Sequence, residues 1–224
     1  MNTLTERAGQ FALASALSAY PDEELEATLP SVGPLLAGLP CALPFVQAME
    51  VDGHLDHLRS LYLDQFDRGD SRVPLYETEY GHMRGLAKGR DLADLSGFYQ
   101  AFGFTMADDG PREMLDHVAV ELEFYAVLLA KEEALEARND TEGCEIVADA
   151  RKKFLEAHLG PFAHALTART LSAAPYALVL AFARELVDRE CEALSVKVTP
   201  LDFYADEEAR SALDCGAVRL PVLQ

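Results

Sequence analysis

The sequence PREMLDHVAVELEFYAVLLAK, residues 111–131, decides the fold because its apolar side chains recur at helical spacing over several turns. Residues three or four positions apart lie on the same face of an α-helix. Proline suits the first turn of a helix, so Pro111 marks the predicted start. The apolar stripe consists of Leu115, Val118, Leu122, Tyr125 and Leu129. We therefore predict a central helix that begins near Glu113, runs to Lys131 and buries this stripe.

Helical spacing extends through most of the chain, and no alternating β-branched runs bounded by hairpin turns compete with it. A first helix is capped by Thr3 or Thr5 and ends at Tyr20, because Pro21 disfavours a helical residue before it. Further helices are predicted near Asp22 and at 51–66, 95–102 with Gly103 as cap, 140–159 and 175–194. The last two are separated by a break at Gly160-Pro161 and a short helical piece to 169. The prediction is an all-α, single-domain helical bundle over residues 1–224. It has a mobile connection around 67–91 and a less regular tail from about 196.

The chain is strongly acidic, with 38 Asp and Glu residues against 19 Lys and Arg and a formal charge of -19 over 224 residues. Proteins bind a phosphate backbone by neutralising it with cations, so this charge argues against a nucleic-acid partner. The same field attracts cations and basic peptides. Acidity that only maintains solubility explains the charge equally well.

Cysteine spacing and hydropathy indicate where the protein works. The four cysteines lie far apart without Cys-x-x-Cys spacing, so free, reduced thiols are expected: Cys41, Cys144, Cys191 and Cys215. Glu6 offsets Arg7 ahead of the apolar residues 11–20, so the basic flank of an export signal is missing. No uncharged stretch reaches the roughly 18 to 20 apolar residues that a membrane span requires. We expect a cytoplasmic protein without stable membrane insertion.

Histidines and carboxylates are frequent, but they form no recognisable metal or catalytic motif. A helical di-iron site needs two Glu-x-x-His pairs, and only Glu79-Tyr80-Gly81-His82 has that spacing. The sequence has no Gly-x-Ser-x-Gly elbow, phosphate-binding glycine loop or dinucleotide fingerprint. We predict a protein that is not an enzyme and holds no metal or cofactor. The alternative is a helical metal-dependent oxidoreductase that uses His82, His117 and nearby glutamates.

Four residues place charge beside apolar surface at the start of the predicted central helix: Glu113, Asp116, His117 and Glu121. Glu113 and Asp116 share a helix face, as do His117 and Glu121, and the second pair would favour a charged imidazole at mildly acidic pH. Asp116 and His117 would point about 100° apart, which disfavours a catalytic Asp–His pair. A capping cluster that offsets the partial positive charge of the helix start explains the same acids.

A second segment combines apolar and aromatic side chains with acids in a chain bend: Leu75, Tyr76, Glu77, Glu79 and Tyr80. Core aromatics beside solvated acids would account for this composition. Taken with Glu113 and Asp116, the segment predicts an apolar groove rimmed by carboxylates. Such a groove suits a peptide with two basic residues followed by an apolar stretch, because arginine binds carboxylates bidentately. An export signal has that build.

Several motifs follow one another in a recognisable order: Tyr20-Pro21-Asp22, Leu75-Tyr76-Glu77-Thr78, Phe98-Tyr99 with Phe102-Gly103, and Glu113-x-x-Asp116-His117. In these motifs the chain resembles the redox-enzyme maturation chaperones of the TorD/DmsD/NarJ-like family, from about residue 13 to 131. The last motif, followed by Glu121-Leu122-Glu123-Phe124, is the most specific. Many members carry a tryptophan near the Leu75 motif, whereas this chain has none, so Tyr76 is expected in its place.

The resemblance implies an all-α chaperone that binds the leader or apo form of a molybdenum-containing oxidoreductase. It would hold this client for cofactor insertion before assembly or twin-arginine export, and a client that is not exported is also compatible. In the family, the segment matching 75–79 and the pair Asp116-His117 are associated with leader binding. The expected partner is therefore the apo-molybdoenzyme catalytic subunit or its basic-apolar leader peptide, bound by a monomer or dimer.

One consequence of the groove hypothesis concerns its acids. Charge reversal at Glu77 and Asp116 is expected to weaken retention of the leader peptide without unfolding the protein. A small acidic regulatory adaptor without a maturation role is a third interpretation of the sequence.

Overall fold

The fold is a bundle of helices, seen in a computed structural model that describes residues 3–27, 39, 41, 45, 52–68, 73–81, 88–105, 114–171 and 174–201. The helices are α1 (Leu4–Ser18), α2 (His54–Phe66), α3 (Lys88–Ala101), α4 (Val118–Glu136), α5 (Thr141–Phe154), α6 (Gly160–Arg169) and α7 (Ala177–Ala193). Residues 23–27 are also helical. A 3-10 turn spans Glu77–Glu79 and a π-helical turn spans Leu155–Leu159. Apart from one isolated β-bridge, the described residues form no strand, so the predicted all-α fold is confirmed.

Helix α4 lies at the centre of the bundle. The helical part of the predicted stripe is buried in the core: Val118, Leu122, Tyr125 and Leu129. Helix α1 packs along it, with the Phe11 ring 4.6 Å from the Tyr125 ring between centroids. The Ser15 hydroxyl of α1 donates to the Ala119 carbonyl over 2.8 Å. A helix that is apolar on most of its faces is stable only inside the protein, which explains its central position.

The start of α4 differs from the prediction. The helix begins at Val118, and His117 is its N-cap residue with extended backbone. Asp116 therefore lies before the helix in a turn, and the predicted same-face pairing with Glu113 does not apply. Backbone hydrogen bonds to residues 75–77 hold this turn out of the helix. Pro111 and Glu113, where the helix was expected to begin, lie outside the described residues.

A buried ion-pair network connects α4 with α1, α5 and α7. The Glu190 carboxylate of α7 accepts hydrogen bonds from Arg7 (2.7 and 2.6 Å), Arg151 (2.6 Å) and the Tyr125 hydroxyl (2.9 Å). Arg151 also pairs with Glu132. Burial acts to raise the pKa of Glu190, but the bond from Arg7 and the charge of Arg151 outweigh it and lower the pKa. Removing one member of such a network leaves a buried charge without its partner, so the network holds the four helices in one arrangement.

The chain stays helical from α5 into α6, whereas the sequence predicted a break at Gly160-Pro161. The link is the π-helical turn, in which the Gly160 N–H bonds to the Leu155 carbonyl. Proline has no N–H and its ring clashes with the carbonyl four residues earlier, so the wider turn accommodates Pro161. A Cβ at position 160 would lie 2.3 Å from the Leu155 carbonyl oxygen, and only glycine fits. The turn places His158 inside the protein.

Other predicted boundaries agree with the structure. Thr3 caps α1 through a capping box with Glu6. Gly103, with φ +62°, follows α3. Within the predicted connection 67–91, residues 73–81 bond to neighbouring backbone and 88–91 belong to α3. The single domain over 1–224 stays a prediction.

Two further expectations concern membranes and thiols. None of the helices in the described ranges combines the length and apolar content needed to cross a membrane. Cys41, Cys144 and Cys191 are free thiols, and Cys215 lies outside the described residues. The tail is non-helical from Val196 to Leu201, as far as it is described.

Candidate functional site

An antiparallel β-bridge between Tyr76 and His117 brings the two segments singled out in the sequence together. Two backbone hydrogen bonds flank it: Glu77 N–H to the Asp116 carbonyl (2.8 Å) and Val118 N–H to the Leu75 carbonyl (2.9 Å). The 3-10 turn Glu77–Glu79 follows on one side, and α4 begins directly after the other. Segments about forty positions apart in sequence therefore form one structural unit, which we call the bridge site (residues 75–80 and 116–121).

The buried Asp116 side chain stabilises the β-bridge between Tyr76 and His117 through hydrogen bonds from Thr78. Its Oδ2 accepts hydrogen bonds from the Thr78 hydroxyl (2.5 Å) and the Thr78 N–H (3.2 Å). Asp116 is 0% exposed, and its Oδ1 accepts no hydrogen bond from the described residues. The predicted position of Asp116 on a solvent-facing rim is therefore wrong. A carboxylate that accepts from the first turn of a short helix stabilises that turn instead.

Glu77 is buried as well and contacts a histidine that the sequence analysis did not place in the site. Its carboxylate lies 3.1 and 3.2 Å from His158 Nδ1, and His158 Nε2 lies 3.1 Å from Asp94 of α3. Burial acts to lower the pKa of His158, but the hydrogen bonds to Glu77 and Asp94 outweigh it and raise the pKa. Burial, only partly offset by His158, raises the pKa of Glu77. His158 therefore joins the bridge site to α3 and the π-helical turn.

Glu121 is the most isolated acid of the site. It is 0% exposed, and neither of its carboxylate oxygens accepts a hydrogen bond from the described part of the chain. Burial, and then the charges of Glu77 and Asp116, raise the pKa of Glu121 well above its ordinary value. Burial therefore penalises the charged form of Glu121 relative to the neutral form. The prediction that Glu121 pairs with His117 is wrong, because neither carboxylate oxygen of Glu121 accepts a hydrogen bond from His117.

The His117 side chain hydrogen-bonds to the backbone and packs against an aromatic ring. Its Nδ1 accepts the Ala119 N–H over 3.2 Å, which places a ring proton on Nε2. Nε2 lies 3.5 Å from the Tyr62 hydroxyl oxygen. The Tyr76 ring meets the His117 ring edge-on, with centroids 5.1 Å apart. The imidazole thus supports Tyr76 from the interior.

The exposed part of the bridge site is small. Tyr76 and Glu79 are partly exposed, whereas Leu75 and Tyr80 are buried and Tyr80 donates to the Pro74 carbonyl over 2.8 Å. Because Glu77 is 6% exposed, its predicted rim position is wrong, as it is for Asp116. Charge reversal of these two acids would place new charge in the core, so from their burial we instead expect it to destabilise the fold.

The alternative of a metal-dependent oxidoreductase uses His82, which lies outside the described residues. Glu113 of the predicted groove also lies outside them. Among the residues that are described, no group of three His, Cys, Asp or Glu side chains is arranged to hold a metal ion.

His158 and Asp94 are not predictable as site residues from the motifs, because they lie outside both of them in the chain. Their place depends on the π-helical turn, and the only local signal for it was Gly160-Pro161, which we interpreted as a break. Met114 was also missed as a site neighbour. Its side chain is 44% exposed, and its carbonyl accepts the His117 N–H over 3.0 Å.

Comparison with known proteins agrees with the motif resemblance. The family described as nitrate reductase delta subunit matches residues 22–168, a range that contains the whole bridge site. The chain is also similar to a selenate reductase assembly chaperone protein from Thauera selenatis, with 35% identity over 113 residues. That similarity covers 49% of this chain and 56% of the relative, so it spans little more than half of the relative's length. Since the family match covers more than half of the chain, the protein belongs to the nitrate reductase delta subunit family, the NarJ/TorD-like family of chaperones.

Proposed function

We propose that this protein is an assembly chaperone for a molybdenum-containing oxidoreductase. It binds the leader or the apo form of the catalytic subunit and holds it for cofactor insertion, before assembly or twin-arginine export. The observation that carries the proposal is the bridge between Tyr76 and His117. It joins the two segments whose motifs resemble the family's leader-binding residues. The name of the Thauera relative supports the same class of client.

The site residues divide into two roles in this proposal. Tyr76 and Glu79, which are partly exposed, contact the client peptide. The buried residues position them: Leu75, Glu77, Tyr80, Asp116, His117 and Glu121. Glu113 keeps its proposed place in the binding surface, outside the described residues.

The chemistry of the contact follows from the two exposed side chains. A carboxylate such as Glu79 binds guanidinium through charge-assisted hydrogen bonds. The Tyr76 ring offers an apolar face to the stretch that follows the arginines, and arginine also stacks on aromatic rings. The formal charge of -19 raises the encounter rate of a basic leader before either contact forms. Recognition therefore requires no chemical change in the client.

Titration calorimetry with a synthetic peptide of two arginines followed by apolar residues tests these roles. Glu79→Gln should weaken binding about three- to tenfold, because a partly exposed charged contact is worth about 0.7 to 1.4 kcal/mol. Tyr76→Ala should weaken it by a similar factor through lost ring contact. The matched control is Glu192→Gln, an exposed glutamate in the last turn of α7. It removes the same charge away from the site and should leave affinity unchanged.

Two outcomes would reject the assignment. If Glu192→Gln weakens binding as much as Glu79→Gln, the peptide responds to net charge and not to the bridge site. If the wild-type protein does not bind the peptide, leader binding is excluded. Co-purification with the apo catalytic subunit then decides whether the protein recognises another part of its client.

A further inference from the structure

We propose a second binding surface, at the other end of α4, for an apolar peptide segment that carries carboxylates. A groove of about 540 Å³ lies there between the last turns of α3 and α4 and the first turns of α5. We call it the hairpin groove. Its lining residues are Ala101, Phe102, Lys131, Ala134, Leu135, Arg138, Gly143, Ile146 and Val147. Its volume falls within the range of pockets that bind ligands.

The lining residues follow helical spacing on both walls. Lys131, Ala134, Leu135 and Arg138 occupy positions i, i+3, i+4 and i+7 of α4 and the turn after it. Gly143, Ile146 and Val147 repeat the same spacing on α5. Each wall is thus one continuous helix face, and such faces accommodate the side chains of a third helix. Ile146 is 56% exposed, which is unusual for a large aliphatic side chain with an apolar floor beneath it.

The charges of the hairpin groove are opposite in sign to those of the chain as a whole. The charged residues that line it are Lys131 and Arg138, while acids outnumber bases two to one in the sequence. Neither cation forms an ion pair or hydrogen bond with another described residue. Other arginines are paired with acids, namely Arg7, Arg59, Arg151, Arg184 and Arg189. Two cations without a partner among the described residues, beside exposed apolar surface, complement a segment with apolar side chains and carboxylates.

This partner chemistry differs from that of the proposed leader site. The bridge site lies at the first turn of α4 and the hairpin groove at the last turns, and a 19-residue helix is about 27 Å long. Over such a distance salt screens the acids of one end from the other, because the Debye length is about 8 Å at physiological ionic strength. Lys131 and Arg138 are the charged side chains that line the groove, so we expect them to favour a segment with carboxylates. The surface is suited to a partner segment other than a basic leader.

Fluorescence anisotropy with a labelled helical peptide of Leu, Ala and Glu tests the proposal on the full chain. Matched peptides carry Gln or Lys in place of every Glu. The acidic peptide should bind about tenfold more tightly than the Gln peptide, as expected for two partly exposed charge contacts of about 0.7 kcal/mol each. The Lys peptide should bind the groove least. A protein of charge -19 repels an acidic peptide elsewhere on its surface, so this preference is specific to the groove.

Substitutions of residues that line the hairpin groove show whether the peptide binds there. Lys131→Glu combined with Arg138→Glu should abolish the preference for the acidic peptide. Lys152→Glu combined with Lys153→Glu changes the net charge equally on exposed residues at the far end of α5 and should leave the preference intact. Ile146→Ser should lower the affinity for the acidic peptide and for the Gln peptide alike, by about threefold, because it removes only apolar contact. Thermal unfolding of each variant confirms that the fold is retained.

Several results would overturn the proposal. Equal affinity for the acidic and Gln peptides would show that Lys131 and Arg138 do not select carboxylates. Equal effects of the two double charge-reversal variants would show the same. A concentration-dependent dimer that Ile146→Ser dissociates in sedimentation would identify a second copy of this chain as the occupant. Because the bridge site is untouched by these variants, leader binding can fail or succeed independently.

Discussion

The two ends of α4 use charge in opposite ways. At the first turn, Asp116 and Glu121 are fully buried, and Asp116 bonds to a neighbouring turn. At the last turns, Lys131 and Arg138 border an open groove, and their side chains form no ion pair or hydrogen bond with a described residue. The buried Asp116 carboxylate stabilises one local shape, whereas the accessible cations are available to a partner.

This difference shows why acidity alone is a poor guide to a binding surface. The family motif places its acids at the start of α4, but they are buried, and the proposed function therefore assigns them to positioning and assigns Tyr76 and Glu79 to contact with the client. A buried group bonded to the backbone contributes to stability, and an exposed charge contributes little. Stability measurements at the two ends should therefore differ by several kcal/mol.

The largest effect is expected for Asp116→Ala, which removes the acceptor of two Thr78 donors. Buried donors left without an acceptor and a lost charge-assisted bond should lower the free energy of unfolding by about 3 to 5 kcal/mol. Urea unfolding followed by circular dichroism measures the change. Asp149→Ala is the control, because Asp149 is exposed and pairs only with Lys153 among the described residues. A loss below about 1 kcal/mol at position 116 would contradict a structural role for this carboxylate.

The next largest loss of stability is expected for Gly160→Ala, because this change disturbs the π-helical turn that places His158 in contact with Glu77. The new Cβ would lie 2.3 Å from the Leu155 carbonyl oxygen and 3.0 Å from a Val198 methyl group. Overpacking of this kind should cost about 2 to 3 kcal/mol. The same change at Gly97, inside α3 with no atom within 4 Å of the added Cβ, should stabilise the protein by about 0.5 to 1 kcal/mol. Equal unfolding midpoints for the two variants would show that the turn tolerates a side chain.

The sequence predicted the helices well because apolar spacing determines which face is buried. The composition of residues 75–80 and 113–121, and then the family resemblance, also predicted that the two segments lie together, and the structure joins residues 75–80 to 116–121. The sequence could not predict that Asp116 and His117 precede α4, because the bonds that hold them there come from residues 75–77. A local pattern contains no information about such a distant backbone partner.

The burial of Glu77 and the place of His158 were unpredictable for a related reason. Acids are mostly exposed, so the composition of segment 75–80 indicated a solvated rim. The structure pairs Glu77 with His158 across 81 positions of the chain. This contact depends on a change from α- to π-helical bonding at Leu155, which apolar periodicity does not indicate.

A pH series with Glu121→Gln tests the buried acid in the first turn of α4. The pKa of Glu121 is raised in the folded protein, so the folded state keeps a proton that the unfolded chain loses above its ordinary pKa of 4.5. The stabilising contribution is therefore full below that pH and is lost as the pH rises. Glutamine does not titrate, so the variant should gain stability relative to wild type by up to about 1.4 kcal/mol per pH unit. Urea unfolding between about pH 5 and about pH 8 measures this, and parallel curves for the two proteins would contradict it.

The smallest effect is expected at the other end of α4, for Lys131→Gln combined with Arg138→Gln. Neither cation bonds to a described residue, so their loss should change the free energy of unfolding by less than about 0.5 kcal/mol. Binding of the acidic peptide should nevertheless lose most of its preference, because the same cations provide the groove's charge complementarity. A destabilisation comparable to that of Asp116→Ala would show that both ends of α4 use charge to maintain the fold. A stable variant that no longer discriminates between peptides would separate the two ends by function, since charge would then contribute to shape at one end and to recognition at the other.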